Sequence, residues 1–367
     1  MPETQPHKAD EARPSTSDTE LRVTVPRVTV PRVTVLGAGN WGTTIAHLIG
    51  KNGFPVHLWA RDQGVCDEIN RARNNSRYLE GLELSDNIQA TTSLEAAVEG
   101  AEFIFIVIPS QGFRQVCAAL GPLVRPAQLA VHATKGLELT SHARMSEIML
   151  EETCLRQIGV LSGPNIAREM CQGKPAGTVV ASRFPRVIEV ARSYLHSRQL
   201  RVYGNRDVLG VELGGTFKNI VAIAAGMATQ MELGENAKSL LITRGLSEIA
   251  RLGVAMGADP MTFSGLAGLG DLMVTCASPL SRNHRVGAAL ARGASLQEAI
   301  DALGMVAEGV KAAKIARKLT AHYDLRSPLM DAVYRVLHED LAPREGLREL
   351  MVSAGQDDID PTLVRTA

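Results

Sequence analysis

The chain has no excess of charge: 39 Lys and Arg stand against 39 Asp and Glu in 367 residues. Without a net field to attract nucleic acid or an anionic membrane, any anionic ligand must be caught by groups set locally around it. Cysteine is sparse and scattered. Cys66, Cys117, Cys154, Cys171 and Cys276 are nowhere closer than the 17 positions between Cys154 and Cys171, so no C-x-x-C zinc or redox signature exists, and five cannot all pair. The nine histidines make neither H-x-x-x-H nor H-E-x-x-H, which removes the common helical metal sites; no protein-bound metal is expected. A long apolar start is missing too. Residues 1–20 are polar and charged, and the valines that follow are interrupted by Pro26 and Pro31, far short of the roughly 20 residues of a membrane span. The expectation is a cytoplasmic protein with reduced thiols, no nucleic-acid partner and no stable membrane insertion. At about 150 residues per domain, its length suggests two domains.

What is present begins with a repeated word. Residues 21–42 read LRVTVPRVTVPRVTVLGAGNWG, in which RVTV occurs three times. The first two copies end in Val-Pro, and proline neither donates a hydrogen bond nor leaves its own φ free, so neither copy continues as a central strand. Only Arg32–Leu36 runs unbroken into Gly37. Gly37, Gly39 and Gly42 then stand in G-x-G-x-x-G spacing, followed by Ile45, Leu48 and Ile49 at helical intervals. Strand, tight turn and helix in this order form a dinucleotide-binding fingerprint. The first glycine permits the turn, the second lets backbone approach a pyrophosphate, and the third lets helix pack on strand. The next strand, Val56–Ala60, ends at Arg61. An acidic residue there accepts from a ribose hydroxyl whereas an arginine accommodates a 2′-phosphate, so Arg61 favours NADP, with NAD kept possible by Asp62 and a solvated loop charge as the ordinary alternative for Arg61.

Alternation continues with a helix at Leu94–Val98, a continuously apolar strand at Phe103–Ile108, a helix at Phe113–Leu123 and a strand at Leu129–Ala133. Strands apolar on both faces belong to a sheet covered by helices on both sides. Shorter strands at Gly159–Leu161, Thr178–Ala181 and Arg201–Tyr203 extend it. Beyond about residue 207, long helical patterns such as Gly210–Met231 and Thr243–Leu252 take over. The expected fold class is α/β: a doubly wound Rossmann-type N-terminal domain followed by a mainly α-helical C-terminal domain. Residues 1–31 are expected to form a flexible extension, 32–207 the dinucleotide-binding domain, 208–352 the helical substrate domain and 353–367 a flexible tail.

Several residues in this plan could do chemistry. Lys218 has Gly214, Gly215, Val221 and Ala222 as its helical neighbours, so a single amine sits on a face stripped of bulk; desolvation there lowers its pKa toward useful proton transfer. The ordinary alternative is a lysine whose stem covers apolar surface. Lys135 in HATKGLE follows a buried strand, where ligands of open α/β sheets sit, or is a plain loop charge. Gly163 and Asn165 in SGPNIARE repeat that position, although a Gly-Pro turn explains them nearly as well. Gly265, Gly268 and Gly270 precede Asp271, and Ser281 reads as an N-cap with Arg282 and Asn283 in the first turn. An arginine there opposes the helix dipole, which argues for a phosphate, with a solvated cap as the alternative.

These residues lie in an ordered set of motifs: GAGNWGT, PSQ, ATKGLE, SGPNIARE, LGGTFKNIVAIAAG, GLAGLGDLMVTC, SRNHRVG and VAEGV. Across residues 32–351 the chain closely resembles the bacterial NAD(P)-dependent sn-glycerol-3-phosphate dehydrogenase family. The resemblance implies interconversion of sn-glycerol 3-phosphate and dihydroxyacetone phosphate, supplying glycerol 3-phosphate for glycerophospholipid synthesis. It implies Lys218 as the proton carrier at the C2 oxygen. It places Lys135, Gly163, Asn165, Lys218, Asp271, Ser281, Arg282 and Asn283 on the substrate, the last three at its phosphate. It adds Asn40, Trp41, Arg61, Lys135, Ala167, Arg282, Val306 and Glu308 as cofactor contacts beside Gly37, Gly39 and Gly42. A homodimer is expected. Two departures stand out: the family usually has Ser or Thr where Asn165 stands, and the tripled word is not in its pattern. The rival readings are another NADP-dependent hydroxy-acid reductase of the same plan, which would not need the Ser281–Asn283 grip, and a non-catalytic NADP-sensing module, which would not need Lys218.

Overall fold

The computed structural model describes residues 32–304, 307–353 and 363. The expectations for residues 1–31, for Val306 and for all but two residues of the 353–367 tail fall outside them. Among the described residues eight strands form one sheet: β1 (Arg32–Leu36), β2 (Val56–Trp59), β3 (Ile88–Thr91), β4 (Ala101–Ile106), β5 (Leu129–His132), β6 (Gln157–Ser162), β7 (Ala176–Ala181) and β8 (Leu200–Asn205). Their order is β3-β2-β1-β4-β5-β6-β7-β8. All neighbours are parallel except β6 and β7. The order reverses between β1 and β4, and the crevice outside the carboxyl ends of those two strands is where such sheets bind ligands.

The helices that matter below are α1 (Asn40–Lys51), α2 (Gln63–Ala72), α3 (Met145–Glu152), α4 (Val208–Gln230), α5 (Gly234–Ala255), α6 (Asp271–Ala277), α7 (Arg282–Ala291), α8 (Glu308–His322) and α9 (Pro328–His338). Strand β3 and helix α2 carry weak signals: β3 has four residues with only alternate side chains buried, and α2 buries only Val65, Cys66 and Ile69. The apolar run expected as a strand to Ile108 leaves the sheet after Ile106. There the chain bends over the glycine turn, so that the Val107 carbonyl occupies the space a Gly37 side chain would need.

Helix α4 is the hub of the helical part, with every residue from Gly210 to Ala228 buried. It is long and apolar enough to cross a membrane, but its apolar surface is covered by α5, α6, α7 and α8. The crossing with α7 is close enough to require glycine on both helices. A side-chain carbon at Gly226 would lie 2.0 Å from the His284 carbonyl oxygen, and one at Gly287 would lie 1.9 Å from that of Ile223. One residue of the sheet domain joins this core: Leu137, beyond β5, packs in the same cluster as Leu213 and Phe217 of α4.

Candidate active site

Strand β1 delivers the chain to Gly37, whose φ of +114° is closed to ordinary side chains. A Cβ at Gly42 would fall 1.8 Å from the Gly37 carbonyl oxygen, so the helix can sit this close only with glycine there. Gly39 differs: a Cβ would meet no protein atom within 4 Å. Packing does not explain it, whereas close approach by a ligand's pyrophosphate does. Helix α1 has no acidic residue in its first turn and no side-chain cap. The amides of Asn40, Trp41 and Gly42 therefore lack intrahelical acceptors and suit an anion. This cradle fits a dinucleotide.

At the end of β2, Arg61 is exposed. The neighbouring Asp62 is otherwise engaged: its carboxylate caps α2 through the Gly64 amide at 2.8 Å and pairs with Arg77 at 3.3 Å. That corner thus holds two guanidinium groups and a carboxylate already satisfied by its own helix.

Beyond the end of β5, the Lys218 side chain is almost fully buried on α4, and it is not alone. Its amine donates to the carboxylate of Asp271 and, at 2.5 Å, to the hydroxyl of Thr275. The other Asp271 oxygen lies 2.6 Å from the Lys135 amine. One buried carboxylate thus spans two lysines 83 positions apart (218 − 135). Burial pushes the Lys218 amine down, Asp271 pulls it back up and Lys135 pushes it down again, which leaves it at about 7. An amine at that value exchanges protons in either direction near neutrality.

Local sequence explains the placement. Leu266–Gly270 forms one wide π-helical turn ahead of α6, and Gly268 within it packs against the Phe263 backbone. The turn delivers Asp271 into the interior, 1% exposed. Gly214 and Gly215 let the turn and the end of β6 approach α4: Cβ atoms there would lie 3.1 Å from the Ala267 carbonyl and 3.0 Å from Ser162 Oγ.

The remaining candidates divide into those that face the site and those engaged elsewhere. Gly163 has a φ of +139° and packs against Thr178 at the end of β6. The Asn165 amide donates to the Gly177 carbonyl at 3.2 Å and accepts from Thr178 at 2.9 Å. Its side chain thus holds β7, so only its backbone is left for a ligand. Ala167 is half-buried at the start of the short helix that follows. Ser281 caps α7 weakly, accepting from the His284 amide at 3.4 Å, and Arg282 is exposed in the first turn. Asn283, expected at a phosphate, is buried instead. It donates to Asn219 at 2.8 Å and accepts from the Gly309 amide at 3.0 Å. It ties the residue after Lys218 to the residue after Glu308. Glu308, which reads alone as a solvated helix charge, accepts from Ser110 Oγ at 2.9 Å and so reaches the loop after β4.

Thr275, Asn219 and Ser110 were not singled out from the sequence. Thr275 had a signal, since it stands four residues after Asp271 on one helix face and its hydroxyl bonds the Asp271 carbonyl at 2.6 Å. Asn219 and Ser110 lie inside the LGGTFKNIVAIAAG and PSQ motifs, but nothing local separates them from neighbouring polar residues.

A doubly wound sheet with a glycine cradle at its crevice, joined beyond β5 and β6 to a helical domain that buries an amine of near-neutral pKa, defines a dinucleotide-linked oxidoreductase. The chain belongs to the NAD-dependent glycerol-3-phosphate dehydrogenase family, whose N-terminal model matches residues 32–187 and whose C-terminal model matches residues 207–348. It is 44% identical over 342 residues to glycerol-3-phosphate dehydrogenase [NAD(P)+] of Acinetobacter baylyi, covering 93% of each chain. Among solved structures it is similar to glycerol-3-phosphate dehydrogenase of Coxiella burnetii, with a TM-score of 0.84 and 37% identity over 88% of this chain and 98% of that one. The corresponding structure from Saccharomyces cerevisiae has a TM-score of 0.78 and 29% identity, over 88% of this chain and 99% of that one.

Proposed function

We propose that this chain interconverts sn-glycerol 3-phosphate and dihydroxyacetone phosphate with NAD(P) as cofactor, and that Lys218 carries the proton to and from the C2 oxygen. The observation that carries this reading is the buried Lys218 amine, held at about 7 between burial and Asp271. A bound nicotinamide supplies or accepts the hydride at C2. The protein supplies the rest. In the reducing direction the Lys218 ammonium faces an oxygen that gains charge as the carbonyl is reduced, and it gives up its proton there. A preorganised positive charge aimed at developing negative charge acts most strongly in the transition state. In the oxidising direction the neutral amine takes the hydroxyl proton. Asp271 holds the amine in place, and Lys135 adds positive charge beside it.

The substrate's phosphate falls to the N-terminus of α7, where Ser281 caps the helix and Arg282 adds charge to the first-turn amides. Asn283 serves this grip by fixing the helix, its side chain being committed to Asn219 and Gly309. Gly163 and the Asn165 backbone line the substrate from the sheet side. On the cofactor side stand Gly37, Gly39, Asn40, Trp41, Gly42, Lys135, Ala167, Arg282 and Glu308. NADP is the preferred form, supported by Arg61 and Arg77 at the end of β2 and by Asp62 being spent on α2. A homodimer is part of the reading: Tyr203, Met261 and Met273 are large apolar side chains left exposed at 53%, 73% and 54%, available to a second copy. The cytoplasm is the compartment, supported by five cysteines that all stand as free thiols.

The test mixes purified protein with dihydroxyacetone phosphate and NADPH or NADH and follows nicotinamide absorbance. Consumption is expected with both and faster with NADPH; no consumption with either overturns the proposal. Lys218→Ala is expected to reduce turnover by a factor of about 10²–10⁴ while NADPH still quenches protein fluorescence as in the parent.

A further inference from the structure

The chain buries a second charged cluster, on the same helix as Lys218, that the reaction does not use. Glu212 lies six residues before Lys218 on α4, about 9 Å along the axis, and its side chain is only 3% exposed. Everything that satisfies it comes from the sheet domain. Its oxygens accept from the Ser146 amide at 2.9 Å, the Ser146 hydroxyl at 2.7 Å and Arg144 Nη1 at 2.8 Å. His132 Nε2, at the end of β5, lies 3.0 Å away, within ion-pair reach although its ring is not aligned for a hydrogen bond. Burial alone would raise this carboxyl; the contacts with His132, Arg144 and Ser146 outweigh it and hold the group below its ordinary range.

These partners bracket one loop. His132 ends β5, Lys135 comes three residues later, and Arg144 and Ser146 open α3. The loop is closed on itself by a Leu137–Arg144 bridge. It is pinned at Glu138 by Arg114 through two bonds of 2.8 and 2.9 Å, and Leu137 is sunk into the helical core. A buried ionic cluster of this kind contributes little net stability over apolar packing, but it does fix one geometry.

We propose that Glu212 is a positioning residue: by gripping both ends of the loop from His132 to Ser146, it sets the loop's register on α4 so that Lys135 and Lys218 meet on the same Asp271 carboxylate. The inference rests on Lys218 being the proton carrier proposed above. The titratable groups that act on Lys218 are Lys135 from this loop and Asp271 and Cys276 from α6. Only Lys135 is governed by the loop, and its charge presses the Lys218 amine down. Withdrawing it lets that amine rise.

The test is Glu212→Gln, which keeps shape and removes charge. Its kcat for dihydroxyacetone phosphate reduction is expected to fall by about tenfold or more, the scale of a misplaced catalytic contact. NADPH affinity by calorimetry should fall far less than kcat, since Lys135 is the one cofactor-side residue carried by this loop, and the midpoint of the pH–rate profile should move upward. Loss of folded protein alone would lower the amplitude and leave the midpoint in place. Ser146→Ala, which strands no charge, should show the same upward shift to a smaller degree and decides the matter should Glu212→Gln fail to fold. A folded Glu212→Gln with the parent's kcat and midpoint overturns the proposal, as does an unmoved midpoint in Ser146→Ala. The Lys218→Ala control separates the two levels: if it retains turnover, the proton-carrier role fails and this inference with it. If it is inactive while Glu212→Gln behaves as the parent, only the positioning role fails.

Discussion

Replacing Asp271 with Asn removes the charge that two lysines share while keeping the shape of the group. Lys218 sits at about 7 because Asp271 opposes both burial and Lys135. At an effective dielectric of about 20, a charge pair about 3 Å apart is worth on the order of 5 kcal/mol. The asparagine dipole and the retained Thr275 hydroxyl recover part of that. A net loss of about 3 kcal/mol, at 1.36 kcal/mol per pH unit, moves the midpoint down by about two pH units. At pH 7 the ammonium fraction then falls from about a half to about one hundredth.

The rate follows in a less obvious way. Protonation alone removes about 50-fold of the reduction rate at neutrality, but the same change makes the remaining ammonium a stronger acid. The net loss is therefore on the order of tenfold. The equilibrium between alcohol and ketone is no property of the enzyme, so kcat/KM for oxidation must fall at each pH by the same factor as for reduction. The assay is kcat/KM in both directions from about pH 4.5 to about pH 9, which reports the free enzyme's groups. The reduction limb, which needs the acid form, should lose activity around a midpoint near pH 5 rather than near 7. A midpoint that stays near 7 or rises refutes the electrostatic account of Lys218, whatever happens to the rate. Breaking a buried pair costs about 3–5 kcal/mol of stability, within what a protein of this size tolerates. Urea unfolding should show that loss with cooperativity retained.

Arg282→Ala should raise the KM for dihydroxyacetone phosphate by about 10- to 100-fold, the worth of one charge-assisted contact of about 1.5–3 kcal/mol; an unchanged KM removes Arg282 from the phosphate site. Arg61→Ala should weaken NADPH by about tenfold in a fluorescence titration and leave NADH nearly unaffected. Glu248 makes a stability prediction. It is buried on α5, accepts from the amides of Leu329 and Met330 at 2.8 and 2.9 Å at the start of α9, and burial raises it to about 7. Its folded form holds a proton that the unfolded form has lost above about pH 4.5, so its contribution is full below that value and disappears as pH rises through 7. The difference is about 3 kcal/mol. Glu248→Gln should flatten the fall in Tm between about pH 5 and about pH 8, and a parent whose Tm does not fall there contradicts the raised carboxyl.

The sheet was legible wherever a strand is buried on both faces. Arg32–Leu36 and Leu94–Val98 match their elements to the residue, because a proline boundary in one case and a capping serine in the other mark the ends locally. The weakly patterned β3 escaped, as four half-buried residues carry too little periodicity to register. The candidate site was legible by residue type and less so by role. Asn165 and Asn283, expected on the substrate, are half-buried and buried respectively, and both amides are spent on protein partners. Those partners stand 12 and 13 positions away for Asn165, and 26 and 64 positions away for Asn283. No local rule says whether an amide faces a ligand or a neighbouring helix.

The charges show the same limit more sharply. Taken one at a time, Lys135 can be read as a loop charge and Lys218 as a stem covering apolar surface, and nothing near Asp271 or Glu212 in the sequence names the partner of either carboxylate. Each would be costly where it lies if it were alone. They are tolerable only jointly: one carboxylate between two amines on one side of α4, another between an arginine and a histidine two turns before it. The glycines around Lys218 and the wide turn before Asp271 read as loose punctuation in the sequence, yet they bring backbone close enough for those pairings to be made directly. The chemistry of the site therefore depends on packing as much as on its charged residues. A substitution that only adds bulk, such as Gly214→Val against the Ala267 carbonyl at 3.1 Å, should separate Asp271 from Lys218 and move the pH midpoint in the same direction as Asp271→Asn, although it touches no ionisable group.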